Sequence, residues 1–262
     1  MDDSLDDGEG ATIELTRPRE IRWLSAARSH VGRVRKINED NFMERGEIGL
    51  WAVADGVGGE RAGDRASALV VEALNRVGAP QTAAGFLAEV RDNLQAVNRL
   101  LRLESAAGDD GRVIASTVVT LLAFGQHFAC AWAGDSRLYL CRNRRLQQIT
   151  RDHSEVQELV DAGLLTSEQA RTHPRANVVT RAVGAEDMLT LEMVQDQIRI
   201  GDLFLLCSDG LTKMIEDEEI AALLALRPIE AAAAQLIQTT LERGAPDNVT
   251  VVLVEAVAAE DG

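Results

Sequence analysis

Six aspartates stand where apolar runs of this sequence end, several followed by glycine or another small residue. They are Asp40 in RKINED, Asp55 in AVADGVGG, Asp135 in WAGDSR, Asp209 in LLCSDGLT, Asp247 in GAPDNVT and, least clearly, Asp152 in TRDHS. Taken singly, each reads most readily as a turn or cap residue, because Asp and Gly dominate turns for local reasons. The set reads differently. A strand end holds a carboxylate rigidly, and a following glycine lets backbone approach a ligand closely. Several such ends meeting at one sheet edge would concentrate negative charge, which is tolerable only around cations. Oxygen-only ligation, with no His or Cys in the set, favours Mg²⁺ or Mn²⁺ over Zn²⁺. Two such ions a few ångströms apart would make hydroxide from water and hold it for in-line attack on phosphorus.

A phosphate also needs a cation to orient it, and arginine does this with a planar fork of donors. Arg35, five residues before Asp40, is the candidate, with Arg33 and Lys36 as steering charges. For all three, a solvated surface role is equally compatible with the spacing. A nucleotide-cradling loop is the competing reading of DGVGGERAG, but no Lys-Ser or Lys-Thr follows it, as a Walker A loop requires.

Short β-branched or apolar runs must position these residues: 50–54 (LWAVA), 116–124 (STVVTLLAF), 127–133 (HFACAWA), 137–141 (RLYLC), 203–207 (LFLLC) and 248–254 (NVTVVLV). Their length and composition predict strands. Helical spacing runs through Ala66, Leu69, Val70, Ala73, Leu74 and Val77, then through Val90, Leu94, Val97 and Leu101, which predicts an antiparallel helix pair. A further pair is predicted from Ile220, Leu223 and Leu224 and, beyond Pro228, from Ile229, Leu236, Ile237 and Leu241. Runs of strands alternating with helix pairs do not follow the strict βαβ order of a doubly wound sheet, so the fold class is α+β in layers. Residues 1–20, opening MDDSLDDGEG, are expected to form a mobile acidic tail, and the C-terminal EAVAAEDG looks similar.

The 262 residues are 46% hydrophobic, enough for a sizeable core, and carry a net charge of −15. That balance opposes a nucleic-acid backbone as partner. No apolar run is long enough for a membrane span and the N-terminus is acidic, so a soluble, cytoplasmic protein is expected, with no membrane partner. Cys130, Cys141 and Cys207 are too few and scattered for a disulfide framework and read as buried small apolar residues.

The ordered motifs GRVRKINEDNF, VADGVGG, AGDSRLYL, ITRDHS, HPRANVVTRAVG, GDLFLLCSDGLT and APDNVTVVLV run from about Trp23 to Val254. In them the chain resembles the metal-dependent protein Ser/Thr phosphatases of the PPM (type 2C) family, and most of all their stand-alone bacterial members. The resemblance implies a four-layer sandwich of two antiparallel β-sheets flanked by antiparallel helix pairs. It also implies one catalytic domain over residues 21–256, with a substrate-selecting flap at about 152–183. Asp55 would bridge two core Mn²⁺ or Mg²⁺ ions. Asp209 and Asp247 would complete the first, and Asp40 with the Gly56 carbonyl the second through waters. Asp135, sharing Asp209, matches the ligands of a third, weaker ion in bacterial members. Arg35 would bind phosphate and Asn248 would support the ligands from behind. The implied reaction is direct hydrolysis of phosphoserine or phosphothreonine on proteins, without a phosphoenzyme, by a monomer opposing a Ser/Thr kinase.

The chain departs from the family pattern in two places. Eukaryotic members often have a His after the bridging Asp-Gly, proposed as general acid, where Val57 stands here, so another proton donor such as water is implied. Bacterial members often continue Gly-Gly-His, whereas Glu60 follows Gly58 and Gly59. Of the four histidines, His153 and His173 are expected to make hydrogen bonds near the flap, and His127, in a strand, to lie in the core. A phosphopeptide-binding relative without turnover, a phosphatase of small phosphometabolites, and a scaffold in a secretion or signalling complex are the other readings.

Overall fold

The computed structural model describes residues 21–58, 62–108 and 112–259. The expected acidic tail and Glu60 lie outside them. In chain order the elements are β1 (Ile21–His30), β2 (Asp40–Arg45), β3 (Leu50–Val57), α1 (Ala62–Leu74), α2 (Ala83–Ala107), β4 (Ala115–Ser116), β5 (Val118–Phe124), β6 (His127–Ala133), β7 (Arg137–Arg142) and β8 (Arg145–Gln148). They continue with α3 (Glu155–Asp161), α4 (Ser167–Arg171), β9 (Glu192–Gln197), β10 (Leu203–Cys207), α5 (Asp209–Thr212), α6 (Asp217–Leu223), α7 (Ile229–Glu242) and β11 (Val249–Ala258).

All named strand pairs are antiparallel. One sheet runs β1-β11-β10-β7-β8 and the other β2-β3-β5-β6-β9, with β4 added against β3. The apolar runs are continuous because both faces of the central strands are covered. Since successive side chains alternate faces, Trp51 and Val53 of β3, Phe204 and Leu206 of β10, and Val252 and Val254 of β11 meet between the sheets. Their neighbours turn outward onto helices. Leu50, Ala52 and Ala54 pack with Val70, Leu74, Val90 and Leu94 of α1 and α2. Leu205, Val251 and Leu253 pack with Ile220 of α6 and Leu236 of α7. The four layers follow from this alternation, and each large side chain so buried contributes about 1.5–3 kcal/mol.

Several local expectations are corrected. Glu255, Ala256, Val257 and Ala258 are not a tail: they extend β11 and pair with Leu24, Trp23, Arg22 and Ile21 of β1. His127 opens β6 and is exposed, because the strand enters the core only at Phe128. Cys130 and Cys207 are buried, but Cys141 is only half-buried. No helix among the described residues is long and apolar enough to cross a membrane.

Candidate active site

The antiparallel register of β2 and β3 sets Asp40 directly opposite Asp55. Asp40 therefore opens a strand where Asp55 approaches the end of its own, and the two carboxylates come to the same edge. Gly56 follows, where an added Cβ would lie 1.9 Å from the Gly63 carbonyl oxygen, so only glycine lets the start of α1 seat against β3. Across the sandwich the same arrangement recurs: β10 ends beside the start of β11, bringing Asp209, the first residue of α5, near Asp247. A Cβ on Gly210 would sit 1.9 Å from the Asn248 carbonyl oxygen, so glycine is required there too.

Polar bonds stitch the two halves together. The Ser208 hydroxyl donates to Asp40 Oδ2 at 2.7 Å and accepts from the Thr250 N–H at 3.0 Å. Asn248 Oδ1 accepts from the Glu39 N–H at 2.8 Å, while its Nδ2 donates to the carbonyls of Val31 and Ile37 at 2.9 and 3.0 Å. One amide thus fixes the whole 31–39 loop, which carries Arg35, against the start of β11. Arg35 Nη2 lies 2.9 Å from Asp247 Oδ1, and its side chain is 48% exposed. Arg33 is no free steering charge: its Nε donates to the Leu241 carbonyl at 2.7 Å, capping the end of α7.

Asp135 lies in the turn between β6 and β7, behind Gly134, whose φ is +119°. His153, in the segment between β8 and α3, clamps this turn by a reciprocal pair of bonds. The His153 N–H donates to the Gly134 carbonyl at 3.0 Å, and the Gly134 N–H donates to His153 Nδ1 at 3.1 Å. With Nδ1 accepting, Nε2 carries the proton and donates to Glu192 Oε2 at 2.9 Å. The ring stacks on Trp132. His173 also bonds as expected, Nδ1 accepting from the Arg175 N–H at 3.2 Å. Asp152 stands at the margin of the carboxylate group: both of its oxygens take the Arg137 guanidinium, at 2.8 and 2.7 Å, while its charge adds to the fields that raise Asp135 and Asp209.

The other five aspartates do converge. Burial, followed by the fields of Asp40, Asp209, Asp135 and Asp247, raises the Asp55 carboxyl well above its ordinary range. Burial is also the largest cause for Asp40, raised to about 7, and for Asp135, raised to about 8, with neighbouring carboxylates adding to each. Asp209 is raised by burial as well, although Lys213 opposes the shift. Asp40 Oδ1, Asp209 Oδ1 and Glu39 Oε1 are buried without any hydrogen-bond partner. Leaving a buried acceptor unpaired costs about 1–3 kcal/mol, more for a charged one. Hard oxygen donors, mutual repulsion and orphaned lone pairs together fit divalent ions. As the side chains stand, no group of three His, Cys, Asp or Glu among the described residues is arranged to hold a metal ion. Protein cations take the carboxylates instead: Lys213 contacts Asp209 and lies 3.4 Å from Asp247 Oδ2, opposite Arg35.

Two residues of this constellation escaped the sequence reading. Glu39 is raised by burial, and its Oε1 would lie 2.4 Å from a Cβ added to Gly63, which places it beside the Gly56–Gly63 contact. Adjacency to Asp40 in NED was its one sequence signal. Lys213 stands one helical turn past Asp209, and that i,i+4 spacing was legible in SDGLTK.

Comparison with known proteins places this geometry in a family. The model of the protein phosphatase 2C family matches residues 28–249. The Ser/Thr protein phosphatase PstP of Mycobacterium tuberculosis is 38% identical over 238 residues, covering 90% of this chain and 46% of PstP. The chain thus spans just under half the length of that relative. PppA of Pseudomonas aeruginosa superposes with a TM-score of 0.83 at 44% identity, covering 90% of this chain and 98% of that one. The PstP catalytic domain, solved with two manganese ions, superposes with a TM-score of 0.82 at 35% identity, covering 91% and 100%. From the sandwich, the converging carboxylates and a family match over most of its length, the chain belongs to the protein phosphatase 2C family of metal-dependent Ser/Thr phosphatases.

Proposed function

We propose that this chain hydrolyses phosphoserine and phosphothreonine on proteins. The observation that carries the reading is the meeting of five buried or part-buried carboxylates, two with orphaned oxygens, beside the half-exposed guanidinium of Arg35. Asp55, Asp209 and Asp247 would hold one divalent ion, and Asp55, Asp40 and the Gly56 carbonyl a second, with Asp135 and Asp209 offering a third, weaker place. When bound, the ions supply an activated water and neutralise phosphate charge.

The protein's own residues do the rest. Arg35 presents a planar fork at the open edge, able to take two phosphate oxygens and to stabilise the charge that grows on them during transfer. Asn248 keeps Arg35 in register with Asp247 by holding the 31–39 loop. Asp40 is oriented by the Ser208 hydroxyl. Val57, 47% exposed at the edge, has no proton to give the leaving hydroxyl.

Residues 21–256 act on this reading as one catalytic unit, because the donor set runs from Asp40 to Asp247. The stretch 152–183, which contains α3 and α4, selects substrates as a flap. Phosphorylated proteins are the partners, among them a Ser/Thr kinase whose phosphorylation this monomeric, cytoplasmic enzyme reverses. The resemblance to PppA, described as a key regulatory component of T6SS in Pseudomonas aeruginosa, supports substrates in a machine of that kind.

Hydrolysis of p-nitrophenyl phosphate and of a phosphothreonine peptide, with Mn²⁺ and then with chelator, tests the reading. Activity should need the metal and should fall at least about 100-fold in Asp209→Asn, the scale of losing a main electrostatic contact to the transition state. Metal-independent turnover, or none from folded protein, would reject the proposal. A sugar phosphate turned over faster than the peptide would move the substrate to small metabolites.

A further inference from the structure

Lys213 lies among the carboxylates of the site although the hydrolysis makes no use of its ammonium. Asp209 opens α5, and one turn later the Lys213 stem folds back so that Nζ contacts the Asp209 carboxylate and stands 3.4 Å from Asp247 Oδ2. Asp135 is the third carboxylate facing it, and the side chain is 28% exposed. The backbone keeps it there, since the Lys213 N–H donates to the Asp209 carbonyl at 2.9 Å. From the flap, Arg171 Nη2 donates to the Thr212 carbonyl at 3.1 Å.

An ammonium on two neighbouring carboxylates does part of what a divalent ion would do. It screens their repulsion, and it also fills the space and the charge that an incoming ion needs. A lysine stem has four rotatable carbons and can withdraw, whereas the aspartates cannot. We propose that Lys213 is a resident monovalent cation that competes with a divalent ion for the Asp209–Asp247 pair, holding the two carboxylates together in the metal-free protein and swinging toward solvent or Asp135 when the ion enters. The competition makes metal loading weaker and more readily reversed than the carboxylates alone would give. This inference rests on the reading of Asp209 and Asp247 as metal ligands.

The test is Mn²⁺ binding by calorimetry, with thermal melting of the metal-free and Mn²⁺-saturated forms, for the full chain and for Lys213→Met and Lys213→Gln. Both variants keep the stem and lose the charge, and the half-open setting of the side chain favours their folding. Mn²⁺ should bind at least about tenfold more tightly to both variants, equivalent to about 1.4 kcal/mol. Their metal-free forms should melt several degrees lower, with Mn²⁺ restoring the difference. Unchanged or weaker Mn²⁺ affinity, or an equal loss of melting temperature with and without Mn²⁺, would overturn the inference and make Lys213 a structural residue. Failure of the parent chain to bind Mn²⁺ at all would instead remove the metal-centre reading on which it rests.

Discussion

Asp40 and Asp135 carry a testable consequence of gathering five carboxylates around only two protein cations, Lys213 and Arg35. Burial and like charge raise them from 3.8 to about 7 and about 8. The metal-free native state therefore keeps protons that the unfolded chain has released between about pH 4 and pH 8. A state that binds more protons loses stability as pH rises. The contribution of these groups is present in full below about pH 4 and lost on passing pH 7 to 8. The metal-free protein should then melt lower at about pH 8 than at about pH 6, and saturating Mn²⁺ should stabilise it more at the higher pH, where the carboxylates are already ionised. Melting curves at the two pH values, with and without Mn²⁺, check this; a metal-free melting temperature that climbs from pH 6 to pH 8 counts against it.

Most of the catalytic candidates are delivered at or near junctions between elements, with Asp55 set inside the end of β3. Asp209 sits where β10 turns into α5, and the turn closes only because Gly210 has no side chain to strike the Asn248 carbonyl. Gly210→Ala should push α5 away from β11, destabilise the fold by about 1–3 kcal/mol through overpacking, and separate Asp209 from Asp247. Chemical denaturation and Mn²⁺ affinity should fall together; an alanine variant with unchanged Mn²⁺ affinity would show that this junction does not position Asp209. The segment after β8 is tied down in the same manner: His153 grips the Gly134 turn from one side and Glu192 of β9 from the other, so this segment is built onto the strands beside Asp135.

The molecule as a whole works as a rigid frame because its strands are covered on both faces. Leu206 is fully buried between the sheets, and Leu206→Ala should cost about 2–5 kcal/mol, measurable by urea unfolding. Val194 of the exposed edge strand β9 is the contrast: Val194→Ala should fall within about 0.5 kcal/mol of the parent. A comparable loss at both positions would argue against a single inter-sheet core. The frame matters because Asp55 and Asp247, far apart in the chain and on different sheets, could hold one ion between them only if the sheets keep their spacing.

Much of this was readable before any fold was known, where the deciding forces are local. Strands buried on both faces announce themselves as unbroken apolar runs, and the helix pairs by their period, so β3, β5, β6, β7, β10, β11, α1 and α2 were all predicted. Strands β8 and β9 carry mostly polar, exposed residues at sheet edges and gave no such pattern, and the last residues of β11 resembled a tail until β1 was there to pair with them. Among site residues, aspartates at the borders of apolar runs, Asp55 and Asp209 in Asp-Gly pairs, flagged the carboxylates, and Arg35, five residues before Asp40, flagged a phosphate. Composition alone could not say that Asp152 is taken by Arg137, that Arg33 caps α7, or that Lys213 lies between Asp209 and Asp247. Those outcomes depend on which charges come within a few ångströms of one another. That distance is set by strand register and sheet packing between segments up to about two hundred residues apart, which no local pattern encodes.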